Sequence, residues 1–193
     1  MTADKQTYPV ALERDVRPLL LVRSRLEGMD LVIWRSTAGA IHVWEDRCPH
    51  RSVRLSAGRN LGDCIEGIYH GWRFDGDGKV ASVPAEGGKA RPSIRVRVMA
   101  SEVRRGVVWA STGKKAAAPD DFGGNLCRPI HVSAPAERVR IQFGGFPDLQ
   151  LIATPWGQDD CFIYGVSSNA SFDARTANAR LTDLARRAEA GRP

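Results

Sequence analysis

The chain has 193 residues, of which 42% are hydrophobic and 26% are charged, a composition typical of a globular domain rather than of a disordered or fibrous chain. Its net charge of +6 comes from basic residues scattered along the sequence without interleaved aromatic residues, so nucleic-acid binding is not predicted. No apolar run approaches the roughly 20 residues that span a bilayer, and residues 1–9 lack the apolar core of a signal peptide, so we expect a cytoplasmic protein that does not cross a membrane.

Short strand-like segments dominate the first part of the chain. Two pairs of segments flank turn sequences rich in Gly, Asp and Ser, which predicts two hairpins, and a later continuous apolar run predicts a core strand. These segments are residues 31–34 with 41–44, residues 72–74 with 79–81, and residues 107–110. We therefore predict a small antiparallel β domain over residues 1–113.

A different pattern follows this domain. Residues 114–128 are rich in Ala, Lys, Asp and Gly and are predicted to be a linker. Residues 129–193 are predicted to form a short α+β lobe of three strands and a terminal helix, with the strands at residues 139–143, 149–154 and 161–166. The helix is indicated by small and apolar residues at helical spacing, with a cap at Asp173 or Thr176. These residues are Ala177, Leu181, Leu184, Ala185 and Ala188.

Cysteine and histidine occur together in two short segments between predicted strands. Cys48 and His50 lie in the first segment and His70 in the second, with nineteen residues between the two histidines. A mixed thiolate and imidazole ligand set split over two loops is what a Rieske 2Fe–2S cluster needs, because thiolates hold one iron and imidazoles hold the other. We therefore predict Cys48, His50 and His70 as metal ligands.

Taken in order, several segments resemble the Rieske domain of bacterial Rieske non-haem iron oxygenases, which hydroxylate aromatic rings or remove methyl groups. The matching segments are Tyr8-Pro9-Val10, Leu31-Val32-Ile33-Trp34, Glu45-Asp46-Arg47-Cys48-Pro49-His50-Arg51, Leu55-Ser56-Ala57-Gly58, Tyr69-His70-Gly71-Trp72-Arg73-Phe74-Asp75 and Val107-Val108-Trp109. The resemblance implies a mainly β fold, with a Rieske-type antiparallel β-sandwich domain. It also implies that the small sheet and C-terminal helix are a remnant of the family's α+β catalytic domain. A 2Fe–2S cofactor and a reductase or ferredoxin as electron donor are implied as well.

One ligand position departs from this pattern. The family has a cysteine three residues before the second histidine, and Gly67 occupies that position here. The nearest thiol is that of Cys64, three residues further upstream and about 10 Å away along a strand. Cys64 either ligates the cluster through a rearranged loop or is a buried strand cysteine without a metal. In the second case, water or a small thiol completes the cluster, a single metal ion replaces it, or the site holds no metal.

The sequence lacks the residues for a second iron site. A complete Rieske oxygenase also holds a mononuclear iron with two histidines and a carboxylate. Of the four histidines, His42 precedes the cluster segments and only His131 follows them. Packing explains His131, and turns or caps explain Asp148, Asp159 and Asp160. We therefore predict no catalytic residues and no mononuclear iron site in this chain.

Functions of two different classes follow from these observations. In the first, the chain is an oxidoreductase component that transfers single electrons within a non-haem iron oxygenase system and is not a complete oxygenase by itself. In the second, it is a cluster-deficient accessory or structural subunit that binds a catalytic oxygenase partner. Gly67 favours the second function, whereas Cys48, His50 and His70 favour the first. A catalytic iron supplied across a subunit interface is a third alternative, and an oligomer is compatible with all three.

Overall fold

The computed structural model describes residues 6–120, 125–142, 149–167 and 173–190. All pairings between the strands described below are antiparallel, so the predicted mainly β fold class is confirmed. No helix in these ranges is both long and apolar enough to cross a bilayer.

Eleven strands build the first lobe. They are β1 (Tyr8–Leu12), β2 (Leu21–Leu26), β3 (Met29–Arg35), β4 (Ile41–Glu45), β5 (Arg59–Asn60), β6 (Cys64–Glu66), β7 (Arg73–Asp75), β8 (Lys79–Val83), β9 (Lys89–Arg95), β10 (Ala100–Arg104) and β11 (Val107–Ser111). They form three sheets, in the orders β1-β11-β10, β2-β3-β4 and β5-β6-β7-β8-β9. The two predicted hairpins are confirmed as β3–β4 and β7–β8, and the predicted core strand is confirmed as β11.

The β2-β3-β4 sheet is the middle layer of this lobe. Successive side chains of a strand point to opposite faces, so a strand buried on both faces is apolar throughout. In β3, Leu31 and Ile33 join one core with residues of β1 and β11, whereas Val32 and Trp34 join a second core with residues of β6, β7 and β8. The second core also packs against Cys48, and it therefore supports the candidate metal ligands.

The second lobe is a sheet covered by a helix. Its elements are β12 (Asn125–Leu126), β13 (Ile130–Val132), α1 (Ala136–Gln142), β14 (Leu149–Pro155), β15 (Cys161–Ser167) and α2 (Ala174–Glu189). β15 is central, because β14 pairs along one edge and β12 and β13 pair with opposite ends of the other edge. The five residues that predicted α2 are all buried against this sheet, so the terminal helix is confirmed. β12 lies within the range 114–128 that was predicted as a linker.

The prediction of a strand at residues 139–143 was wrong for the part of that segment that the structure describes. Residues Ala136–Gln142 are helical instead, and Phe143 lies outside the described residues. Ala136 and Val139 are both buried, and their spacing of three places them on one side of a helix. Pro135 precedes the helix, where its restricted φ and missing N–H are tolerated. Its carbonyl accepts a hydrogen bond from the Val139 N–H at 3.3 Å.

A fourth apolar cluster joins the two lobes. Leu12 and Trp109 of the first lobe pack in this cluster with Tyr164 and Val166 of β15. The buried hydroxyl of Thr154 donates a hydrogen bond of 2.8 Å to the Pro9 carbonyl across the same boundary. Apolar packing and a buried hydrogen bond therefore fix the second lobe against β1 and β11.

Candidate metal centre

The first ligand loop, residues 46–58, joins β4 to β5 and carries Cys48 and His50. The Cys48 N–H donates to the Val53 carbonyl at 2.9 Å, and the Ser52 N–H donates back to the Cys48 carbonyl at 2.8 Å. Ser52 has a left-handed backbone, with φ of 58°. These two bonds close a tight turn that begins at Cys48.

The second ligand loop, residues 67–72, joins β6 to β7 and repeats this bonding pattern. The Gly67 N–H donates to the Trp72 carbonyl at 2.9 Å, and the Gly71 N–H donates to the Gly67 carbonyl at 3.1 Å. Gly71 is left-handed with φ of 65°, a conformation that glycine adopts without strain. In backbone terms, Gly67 therefore occupies in this loop the position that Cys48 occupies in the first ligand loop.

The two loops bring His50 and His70 together. Their Nδ1 atoms lie 3.0 Å apart, and both rings are exposed at the surface. The buried ring of Trp72 stacks on His50 at a centroid distance of 4.4 Å and an interplanar angle of 3°, and Tyr69 packs against His70 at 4.0 Å. Imidazole nitrogens bind metal ions at about 2.0–2.1 Å, so two nitrogens at this separation can reach one ion between them. The predicted pairing of the two histidines is therefore present in the structure.

A cavity lies between the two ligand loops. Cys48, His50, His70 and Gly67 all contribute to its lining. A Cβ atom built on Gly67 would have no neighbour closer than 3.7 Å, the Trp72 carbonyl oxygen, which is an ordinary contact distance. The donors present therefore fit three positions of a Rieske 2Fe–2S cluster, and the backbone at the fourth position has room for a Cβ atom.

Cys64 lies outside the lining of this cavity. It is in β6, where Ile65 points into the core that contacts Cys48. Because side chains alternate along a strand, Cys64 and Glu66 lie on the face opposite to Ile65. Burial raises the pKa of the Cys64 thiol, with the charge of Arg73 acting in the opposite direction. Ligation by Cys64 therefore stays a prediction that this placement does not favour.

The surroundings of His50 lower the pKa of its exposed ring. Desolvation is the largest cause that lowers the pKa of His50, followed by the charges of His70, Arg51 and Arg91. The neutral imidazole is the form that binds metal ions, so this environment prepares His50 for ligation.

A buried carboxylate holds the first ligand loop. Asp46, at the start of the loop, accepts hydrogen bonds from the backbone N–H of Ser56 at 2.7 Å and from the Ser56 hydroxyl at 2.6 Å. The Asp46 N–H in turn donates to the Asp30 carbonyl on β3 at 2.9 Å. This role of Asp46 was not predicted from the sequence, although a polar residue at the junction of a strand and a ligand loop is a signal for it.

The described residues give no support to a mononuclear site on Cys48, His50 and His70. Among them, no group of three Cys, His, Asp or Glu side chains is placed to hold one metal ion. Facing imidazoles with a separate thiol are instead the arrangement needed for two irons with different ligands.

The two remaining histidines lie apart from this cavity. His42 stacks on Trp34 at 4.4 Å, and burial lowers its pKa against the opposing effects of Gly76 and Asp77. His131 lies 3.1 Å from the Asp160 carboxylate at the surface of the second lobe, and Asp148 lies outside the described residues.

Comparison with known proteins identifies the type of domain. A model of the Rieske [2Fe-2S] domain matches residues 6–100. The phthalate 4,5-dioxygenase oxygenase subunit of Pseudomonas putida is 40% identical over 169 residues, which is 83% of this chain and 36% of that protein. The 4beta-methylsterol monooxygenase of Methylococcus capsulatus is 38% identical over 114 residues, which is 58% of this chain and 31% of that protein. The chain thus spans about a third of the length of these relatives.

A solved structure extends the likeness to both lobes. The crystal structure of dicamba monooxygenase matches with a TM-score of 0.75 at 18% identity, covering 91% of this chain and 80% of that chain. At this level of identity the match establishes the fold.

Proposed function

Because residues 6–100 belong to the Rieske [2Fe-2S] domain family, we propose that this chain is an electron-transfer component of a non-haem iron oxygenase system. The observation that carries the proposal is the pair of Nδ1 atoms of His50 and His70, which face each other at 3.0 Å beside the cavity that Cys48 lines. The relatives that are named as oxygenases support the type of system.

The chain's residues have separate tasks in this function. A bound 2Fe–2S cluster supplies a one-electron carrier, whose potential is raised by neutral imidazole ligands. Cys48 would bind the buried iron of the cluster, and the two histidines would bind the exposed iron. The stacked ring of Trp72 restricts the orientation of His50. The ligand loops are therefore held in place by packing on one side while the imidazole edges stay accessible to a partner.

The surface around the histidines suits an acidic electron-transfer partner. Ile68 and Tyr69 are 65% and 64% exposed at the tip of the second ligand loop. Arg51 adds positive charge close to His50, and the nearby Arg91 is ion-paired with Glu86. Complementary charge accelerates the encounter of two redox proteins. We therefore propose a reductase or ferredoxin as electron donor and a catalytic oxygenase subunit as acceptor.

Analysis of iron and acid-labile sulfide, together with electron paramagnetic resonance of the dithionite-reduced protein, tests this proposal. The full chain is purified without oxygen, and we expect two irons, two sulfides and the resonance of a reduced Rieske cluster. His70→Ala should lose the resonance. His131→Ala, which removes a surface histidine of the second lobe, should retain it. A folded wild-type chain without iron under every loading condition would contradict the electron-transfer function.

Gly67 favours the accessory-subunit function as a second candidate, because a family ligand is missing there. In that case the chain would bind a catalytic oxygenase partner through its Rieske fold without carrying electrons. The same iron and sulfide analysis separates the two candidates, since only the first requires a cluster.

A further inference from the structure

We propose that the ligand position beside Gly67 is taken by the thiolate of a small free thiol of the glutathione type, and not by a residue of this chain. The inference rests on the proposed function, because it concerns how the cluster of that function is completed.

The backbone identifies where the missing donor belongs. Cys48 and Gly67 each donate to the carbonyl five residues ahead and accept from the N–H four residues ahead. In the first ligand loop this position presents a thiol towards the cavity. In the second ligand loop the same position lines the cavity without a side chain. The second ligand loop therefore keeps the backbone conformation of the first and lacks a single thiolate.

The backbone at this position has room for a side-chain atom. The two nearest atoms to a Cβ at Gly67 are the Trp72 carbonyl oxygen at 3.7 Å and a methyl carbon of Leu55 at 3.9 Å. A β-carbon at this position would therefore meet no steric clash. The position also borders the cavity between the ligand loops, from which an external thiol would approach.

Cys64 cannot reach this position from β6 as it is paired. Cys64 lies opposite Asp75 and Glu66 lies opposite Arg73 in the ladder with β7. Turning Cys64 to the cavity face would require a shift of register by one residue, which would also move the buried Ile65 to the other face. Ile65 is fully buried, so that shift would remove a core side chain from its packing.

The cavity wall carries charges that suit an anionic thiol. Arg51 and Arg54 both line it. Arg54 is paired with Asp30 at 2.8 Å, whereas Arg51 has no ion-pair partner within the described ranges. Glutathione carries two carboxylates, which an unpaired guanidinium can bind through charge-assisted hydrogen bonds. On binding, a sulfur–iron bond forms and the thiol proton passes to solvent, so no electron is transferred in this step.

Anaerobic reconstitution of the full chain with iron and sulfide tests the inference when a phosphine is the only reductant. Glutathione is compared with S-methylglutathione, which has the same charges but no free thiol. Absorbance and electron paramagnetic resonance report the cluster, and native mass spectrometry counts the glutathione that is retained. We expect cluster formation only with glutathione, and a complex mass that includes one glutathione.

Two variants sharpen the test. Gly67→Cys should form the cluster without glutathione and retain none, because a side chain then fills the open position. Cys64→Ser should behave as the wild type, with full dependence on glutathione. A wild-type cluster that forms without any thiol and is lost in Cys64→Ser would overturn the inference while leaving the electron-transfer function intact. If Gly67→Cys forms the cluster but the wild type never does, both the inference and that function fail.

Discussion

Asp46 and Ser56 illustrate how single residues hold the first ligand loop. The Asp46 side chain is 4% exposed and receives two hydrogen bonds from Ser56, which closes the loop around Cys48 and His50. Removing one donor from a buried carboxylate leaves that charge less well satisfied, which costs about 1–3 kcal/mol.

We expect Ser56→Ala to lower the free energy of unfolding by about 1–3 kcal/mol for this reason. Chemical denaturation monitored by tryptophan fluorescence measures the change. Ser36→Ala is the matched control, since the Ser36 hydroxyl bonds to Ala40 in an exposed turn, and its effect should stay within about 0.5 kcal/mol. Equal effects of the two substitutions would show that the contact with Asp46 has no special role.

Glu66 provides a test of pH dependence. Hydrogen bonds from Arg59 and then Arg73 are the main causes that lower the pKa of this carboxyl. A carboxyl with a lowered pKa in the folded state stabilises the protein above the pKa of the unfolded chain, and this contribution is lost as the pH falls through the folded-state value.

We therefore expect wild type to exceed Glu66→Gln in melting temperature at neutral pH, with a difference that shrinks as the solution becomes acidic. Exposed ion pairs contribute up to about 1 kcal/mol, so the difference is small. Thermal denaturation at a series of pH values measures it. Glu137→Gln, at an exposed position of α1, controls for the loss of one negative charge. A difference that grows with acidity would have the wrong sign for this explanation.

At the scale of an element, the start of α2 depends on its N-cap. The Asp173 carboxylate accepts hydrogen bonds from the backbone N–H groups of Arg175 at 3.0 Å and Thr176 at 3.1 Å. These bonds satisfy two of the N–H groups that a helix leaves free in its first turn. The helix in turn covers the sheet of the second lobe.

Asp173→Ala should destabilise the protein by about 1 kcal/mol, because those N–H groups lose their acceptor. Asp183→Ala is the control on the same helix. Asp183 pairs with Arg187 at 2.8 Å on the exposed face of the helix, and loss of this ion pair should cost about 0.3–0.5 kcal/mol. Urea denaturation of both variants makes the comparison, and an Asp183→Ala effect as large as that of Asp173→Ala would argue against the cap.

At the scale of the molecule, the two lobes share one apolar cluster. Leu12 and Trp109 have almost no exposed surface and pack in the same cluster as Tyr164 and Val166. The Thr154–Pro9 hydrogen bond adds a buried polar link between residues 145 positions apart. Unfolding of the second lobe alone would expose this surface, so we expect the lobes to unfold together.

Val166→Ala should therefore lower the midpoint temperature of thermal unfolding by several degrees, and the protein should still unfold in a single transition. Because the Val166 side chain is fully buried, we expect this truncation to lower the free energy of unfolding by about 2–3 kcal/mol. Scanning calorimetry measures the temperature and tests whether the calorimetric and van't Hoff enthalpies agree. Val103→Ala, at a 43% exposed position, is the matched control. Two resolved transitions would show that the lobes are independent.

The sequence by itself determined the features that depend on local pattern. Alternation and turn residues predicted the β3–β4 hairpin, helical spacing predicted α2, and the spacing of Cys48, His50 and His70 predicted the two ligand loops. The hairpin and the helix follow from the preferences of residues close together in the chain, and the residue types of each ligand loop are read within that loop, so short windows contain the required information.

Only the tertiary structure decided the remaining features, because they depend on which distant residues share a surface. The face on which Cys64 lies follows from the register of β6 with β7, and the shared bonding of Cys48 and Gly67 requires both loops to be folded. Helix α1 was mistaken for a strand because Val139 is apolar in either pattern. Burial of Val139 together with Ala136 against the second sheet selects the helix. Local periodicity cannot supply this choice, since the free energy that makes it comes from contacts across the whole lobe.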